Sequence, residues 1–126
     1  MRIRIDADDR RPLYRQVADE IKALIARGEL REHTALPSVR QVAADLGVNM
    51  NTIATAYREL EAEGLIAVKH GSGAVVASRQ SNATSLDDTR RTLRTVLTQL
   101  VLAGMKRHEI EAVLSSELRA LLKGVR

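Results

Sequence analysis

The sequence predicts a mainly α chain with a small β wing, and three observations lead there. Apolar residues at Val39, Val42, Ala43 and Leu46, then at Ile53, Ala56, Tyr57 and Leu60, recur at helical spacing on either side of Gly47. Two short apolar runs, residues 65–68 and 74–77, flank Lys69-His70-Gly71-Ser72-Gly73, the pattern of a β-hairpin with a glycine-rich tip. Past a polar stretch at 78–85, two more helical stripes fill the C-terminal third. Together these give a winged helix-turn-helix domain over residues 10–78, followed by a linker and a two-helix C-terminal hairpin over residues 79–126.

The central pair of helices rests on spacing. Ala43 must be small because the second helix crosses close to the first there. Gly47, four residues later, supplies the left-handed conformation that a residue with a β-carbon adopts only at a cost. Ile53 follows six residues on and plugs the angle between the helices. An ordinary αα-corner shares this glycine turn, so the motif needs its context. Ser38, with Gln41 at capping-box spacing, opens the first helix. Arg40 sits two residues inside, where the helix dipole disfavours a cation, so it is either solvated or reaching for an anion such as phosphate. Asn49 caps the second helix and puts Met50, Asn51 and Thr52 at its leading end. In helix-turn-helix proteins that end enters a DNA major groove, where Asn bonds an adenine edge and Thr offers a hydroxyl or a methyl. Both residue types also decorate helix starts without any ligand. Thr55 and Arg58 continue the outward face, and Glu59, Glu61 and Glu63 crowd the far end, where they are expected to repel phosphate.

The flanking segments follow the same logic. MRIRI alternates apolar and charged residues, a candidate short strand. Pro12 suits the first turn of a helix, and Leu13, Val17, Ile21, Leu24 and Ile25 make a core-facing stripe that Gly28 closes. Residues 30–36 read as a connector. Gly64 ends the second helix of the pair, and the hairpin after it is a wing. Its tip carries Lys69, His70 and Ser72 beside glycines, Gly71 among them, that let backbone approach a phosphate closely. A nucleotide phosphate loop is the competing reading, but no helix follows the glycines and the Walker lysine pattern is missing.

In the tail, Leu86, Leu93, Val96, Leu97, Leu100 and Val101 form a stripe that ends near Gly104. Ile110, Val113, Leu114, Leu118, Leu121 and Leu122 form the next. Two helices of this length carry more apolar face than they can hide against each other, and an exposed strip is usually an interface. The tail is therefore expected to be a dimerisation hairpin that packs on a second copy. The alternative folds it back onto its own winged domain, which the flexible-looking SRQSNATS linker disfavours. A membrane-surface helix is disfavoured because no large aromatic residue anchors the apolar face.

Composition narrows the classes further. The 126 residues allow one domain, or one small domain with an appendage. With no Phe, no Trp and only two Tyr, aliphatic residues must build the core. At 44% hydrophobic and 29% charged residues, the chain does not resemble the disordered class. The absence of Cys removes disulfide, thiolate-zinc and cysteine-nucleophile readings and fits the cytoplasm. The N-terminus has no apolar core for a secretory signal, and no stretch is long enough to span a bilayer. A net charge of +4 invites a nucleic-acid partner. Residues 1–78, however, balance 11 Lys and Arg against 11 Asp and Glu, and the excess of 9 against 5 lies in residues 79–126. Individual placement, not bulk charge, must carry the claim. His33, His70 and His108 lack metal-ligand spacing, and no turn gathers Ser, His and a carboxylate. No enzyme, metal or cofactor is expected.

On PLYRQVADEIKALIARGEL, LPSVRQVAADLGVNMNTIATAYRELEAEGLI and HGSG followed by Val75-Val76, the chain resembles the GntR family of bacterial transcriptional regulators over residues 12–77. The short two-helix tail, with VNMNTIATAYRELE in place of the more usual arginine-bearing start, is similar to the YtrA subfamily. Members of that group lack the family's large effector-binding domain, and many repress transporter operons. The resemblance implies a DNA-contacting role for Arg40, base-facing positions for Asn51 and Thr52, and minor-groove wing positions for His70 and Gly71. The chain also departs from the family pattern. Met50 stands where an arginine, or in the YtrA group a proline, is common, and Glu32-His33 replaces a Pro-Gly turn. Val75 replaces a wing Phe, and Lys106 stands where a Ser or Thr would cap the last helix, leaving Glu109 and Glu111 to favour its start.

The leading expectation is a homodimeric, sequence-specific DNA-binding repressor on an inverted-repeat operator. Its DNA-facing residues are Arg40, Asn49, Met50, Asn51, Thr52, Thr55, Arg58, Lys69, His70, Gly71 and Ser72. A winged-helix protein-interaction module is the alternative, which the acidic run and neutral front half leave room for. The sequence names no small-molecule effector.

Overall fold

Helix α1 (Leu13–Ala26) is the support of the front of the molecule. The computed structural model describes residues 1–69, 73–78 and 86–122. Pro12 sits at the α1 cap, and its carbonyl accepts from the Arg15 and Gln16 N–H groups at 3.0 and 3.2 Å. A residue with no N–H to donate is well placed where donors have no helical partner anyway. Val17, Ile21, Leu24 and Ile25 turn inward, joined by Ala18, while Leu13 stays at the surface.

Helices α2 (Val39–Leu46) and α3 (Met50–Ala62) form the predicted pair, and both α1 and α2 pack on α3. Ile53 and Leu60 are fully buried in the resulting core, with Ala43 beside them in the same cluster. Gly47 joins the two helices at φ +68°, and a Cβ built there meets no atom within 4 Å. The turn thus selects glycine through its left-handed backbone and not through lack of room. The N–H groups of Gly47 and Val48 close onto the carbonyls of Ala44 and Ala43 at 3.3 and 3.0 Å.

A three-stranded antiparallel sheet completes this unit, in the order β1 (Ala35–Leu36), β3 (Gly73–Val76), β2 (Ile66–Lys69). Its register sets Ile66 against Val76, Val68 against Ala74 and Leu36 against Ala74. Strand β1 corrects the reading of residues 30–36 as a mere connector, since two residues are too few to leave a period in the sequence. Leu65 is not part of β2; its N–H closes the end of α3 on the Leu60 carbonyl at 2.9 Å.

The start of the chain needs a second correction, because MRIRI forms no strand. Ile3 and Ile5 pack against the core instead. The buried Gln16 amide accepts from the Asp6 N–H and donates to the Arg11 carbonyl, both at 3.1 Å, doing by side chain what a ladder partner would do by backbone. The Glu32-His33 turn has a left-handed residue at its second position. His33 takes φ +66°, a conformation costing roughly 1–2 kcal/mol for a residue with a Cβ. Its N–H bonds the Val76 carbonyl at 2.8 Å, and the Val76 N–H bonds Thr34 at 2.9 Å.

The chain divides into two compact units, Met1–Arg79 and Gln80–Lys123. The second holds α4 (Leu86–Leu102) and α5 (Arg107–Leu121), with Gly104 at φ +88° between them. Leu97, Val101, Met105, Ile110 and Leu114 line one concave surface where the helices meet. Away from it the hairpin is open, and neither helix has a buried residue. A Glu109 carboxylate oxygen accepts from the Lys106 N–H at 2.9 Å. An ammonium has no lone pair to accept in return, so only this half of a capping box opens α5. The linker at 79–85, the wing-tip residues His70, Gly71 and Ser72, and residues 123–126 lie outside the described residues.

Candidate nucleic-acid interface

The leading turn of α3 is the exposed polar end of a helix whose other face is core. Asn49 Oδ1 accepts from the Asn51 N–H at 2.7 Å, so the cap engages its oxygen and leaves only its amide hydrogens to donate elsewhere. Met50 and Asn51 are exposed and Thr52 is half-buried. Thr55 Oγ1 donates to the Asn51 carbonyl at 2.8 Å and accepts from Arg58 Nη2 at 3.1 Å. Thr55 therefore acts as a bracket that turns the Arg58 guanidinium back toward the leading end. Arg40 in the first turn of α2 and Lys69 at the end of β2 are exposed as well. No ion pair among the described residues takes Arg40, Arg58 or Lys69.

The acids are arranged differently from the expectation that three glutamates act together. Glu59 reaches Arg15 at 3.3 Å and Glu63 reaches Lys22 at 2.8 Å, both across to α1. Residues four apart share a helix face, whereas Glu61 between them points elsewhere. It lines a cleft between α3 and the hairpin.

Tyr57 holds this end of the molecule together. Its hydroxyl donates to the Pro37 carbonyl at 2.7 Å, tying α3 to the residue before the α2 cap. Burial pushes its pKa up to about 12, so it stays a neutral donor. Sequence reading placed Tyr57 only in the core; the polar tip of one of just two aromatic residues was the available signal. Ser38 Oγ accepts from the Gln41 N–H at 3.1 Å, as its spacing predicted.

In the tail, Leu93, Val96, Val101, Val113, Leu118, Leu121 and Leu122 are exposed, and Leu97, Leu100, Ile110 and Leu114 are half-buried. Leu102, outside the predicted stripe, is 81% exposed. Among the described residues no group of three ligating side chains could hold a metal, and no helix is long and apolar enough to cross a membrane.

Residues 13–76 match the family described as bacterial regulatory proteins, gntR family. The chain belongs to the GntR family. It is 31% identical over 126 residues to the HTH-type transcriptional repressor YtrA of Bacillus subtilis (strain 168), a match spanning 97% of this chain and 95% of that one. A transcriptional antiterminator from Listeria monocytogenes EGD-e superimposes with a TM-score of 0.88 at 29% identity, covering 97% of this chain and 93% of the other. The AraR(DBD) in complex with operator ORX1 superimposes with a TM-score of 0.55 at 26% identity, over 61% of this chain and 96% of that one. This GntR protein is thus of the YtrA type, a winged-helix transcriptional regulator whose likeness to relatives runs on into α4 and α5.

Proposed function

We infer that this GntR protein is a cytoplasmic repressor that binds double-stranded DNA at an inverted-repeat operator as a homodimer, without a cofactor. Residues 10–78 form the DNA-binding domain, and residues 79–126 are the linker and dimerisation tail. The observation that carries the reading is that Met50 and Asn51 are exposed on the leading turn of α3, while the exposed Arg40, Arg58 and Lys69 enter no ion pair among the described residues. Asn51 and Thr52 read base edges, Asn49 and Met50 flank them, and Thr55 positions Arg58. The wing tip, His70, Gly71 and Ser72, meets the neighbouring groove. A second copy covers the exposed tail stripe and sets half-sites about one helical turn, roughly 34 Å, apart.

Selection of bound duplexes from a randomised pool tests this directly, and the expected product is a palindrome. On it, Arg40→Ala weakens all sequences alike, whereas Asn51→Ala relaxes preference at one base position by about 1–3 kcal/mol. A flat selection, with no binding to random-sequence duplex at low salt, favours the protein-interaction module instead. The pairing of Glu59 and Glu63 with α1 leaves that module a weaker acidic surface than the sequence implied.

A further inference from the structure

The cleft between α3 and the β2–β3 hairpin is the feature that the base-reading face does not absorb. Its volume is about 290 Å³, at the lower edge of the range for small-molecule sites. Val39, Ala54 and Val68 give it apolar walls, and Ser38, Arg58 and Glu61 line it too. Helical rise puts Glu61 roughly 4.5 Å beyond Arg58 from the leading end. The Thr55 bracket turns the guanidinium the other way, toward that end. Ser38 Oγ accepts from the Gln41 N–H, which leaves its own proton to donate.

If α3 lies in the major groove and the wing in the adjacent minor groove, what passes between them is one sugar-phosphate strand of the duplex. We propose that this cleft seats one deoxyribose-phosphate of that strand. Arg58 and Ser38 hold the phosphate, and Ala54 and Val68 press on the sugar. The inference rests on the DNA-binding reading above. It also gives the protein a way to tell DNA from RNA. The 2′ carbon of deoxyribose carries only hydrogens and suits an apolar wall, whereas a ribose hydroxyl there loses its water and gains no partner. Glu61 keeps phosphate from sliding deeper along α3.

The test uses the best duplex recovered from the randomised pool, the full-length chain, and a scan of single ribonucleotides along each strand. Wild-type protein is expected to lose about tenfold in affinity at one position per half-site, the low end of the cost of stranding a hydroxyl. Val68 is 52% exposed, so Val68→Thr leaves the core alone. That variant should weaken all-DNA binding at every sequence with no change in salt dependence, and should shrink the ribonucleotide penalty because its hydroxyl offers a partner. Arg58→Ala should instead lower the slope of log affinity against log salt by about one. A duplex bound tightly with a flat ribonucleotide scan, or a penalty that Val68→Thr leaves unchanged, overturns the seat while DNA binding stands. If no duplex is bound at all, the functional reading and the seat fall together.

Discussion

The two units of this protein treat their apolar residues in opposite ways. In the first, sixteen of the described hydrophobic residues, from Val17 to Val76, are buried in one cluster. In the second, no residue of α4 or α5 is buried, and Leu86, Val101, Leu102 and Leu118 are all more than half exposed. The lesson concerns where stability comes from. The winged unit closes its own core, with each large buried aliphatic contributing about 1.5–3 kcal/mol. Within the tail, α4 and α5 keep their helical pattern and meet along the short concavity around Met105. Short isolated helices are marginal in water, so the dimer proposed above would give the tail stripe the cover that the winged unit finds in its own core.

Three changes separate these regimes. The largest effect is expected from a charge placed on the tail stripe. Val101→Glu, at a residue 60% exposed in the single chain, should leave the winged unit's thermal unfolding untouched yet convert the protein to a monomer in sedimentation. Its affinity for a two-half-site duplex should fall by about 10²–10⁴-fold as the second contact ceases to be intramolecular. A Val101→Glu chain that still sediments as a dimer would show that another surface joins the copies. Ile53→Ala should do the converse, costing the winged unit about 2–5 kcal/mol in chemical denaturation while the tail still associates.

The smallest effect falls on Tyr57. Tyr57→Phe removes the hydrogen bond to the Pro37 carbonyl and should cost about 1 kcal/mol at neutral pH. The tyrosine's folded pKa is raised from 10.0 to about 12, so burial of the neutral hydroxyl contributes stability that is full below pH 10. That contribution drains away as pH rises from 10 toward 12, where the unfolded chain ionises first. The alkaline limb of a stability–pH profile should therefore be flatter in the phenylalanine variant than in the wild type. Identical limbs would place the hydroxyl in water.

What could be read from the sequence were the features made by neighbours. The Ser38 and Asn49 caps and the Gly47 turn each need only residues within a few positions, and spacing alone finds them. Helix stripes were equally plain, because burial repeats with the helical period. The exposed tail stripe was legible too, though not how little its two helices would touch. Features joining distant residues were hidden. Strand β1 exists because Ala35 and Leu36 meet Val75 and Ala74, which no local pattern announces. The Tyr57–Pro37 bond spans twenty positions, and the Glu59 and Glu63 pairs require α1 to be laid beside α3. The cleft that holds Val68 near Ala54 belongs to the same class.

One consequence follows from the middle place of β3 in its sheet. The polypeptide leaves the winged unit through this strand, whose backbone is laced to β1 on one side and β2 on the other. A load arriving from beyond Ser78 meets two ladders, not one. Ser78 is thus a stiffer point of entry into this unit than the end of an edge strand would be.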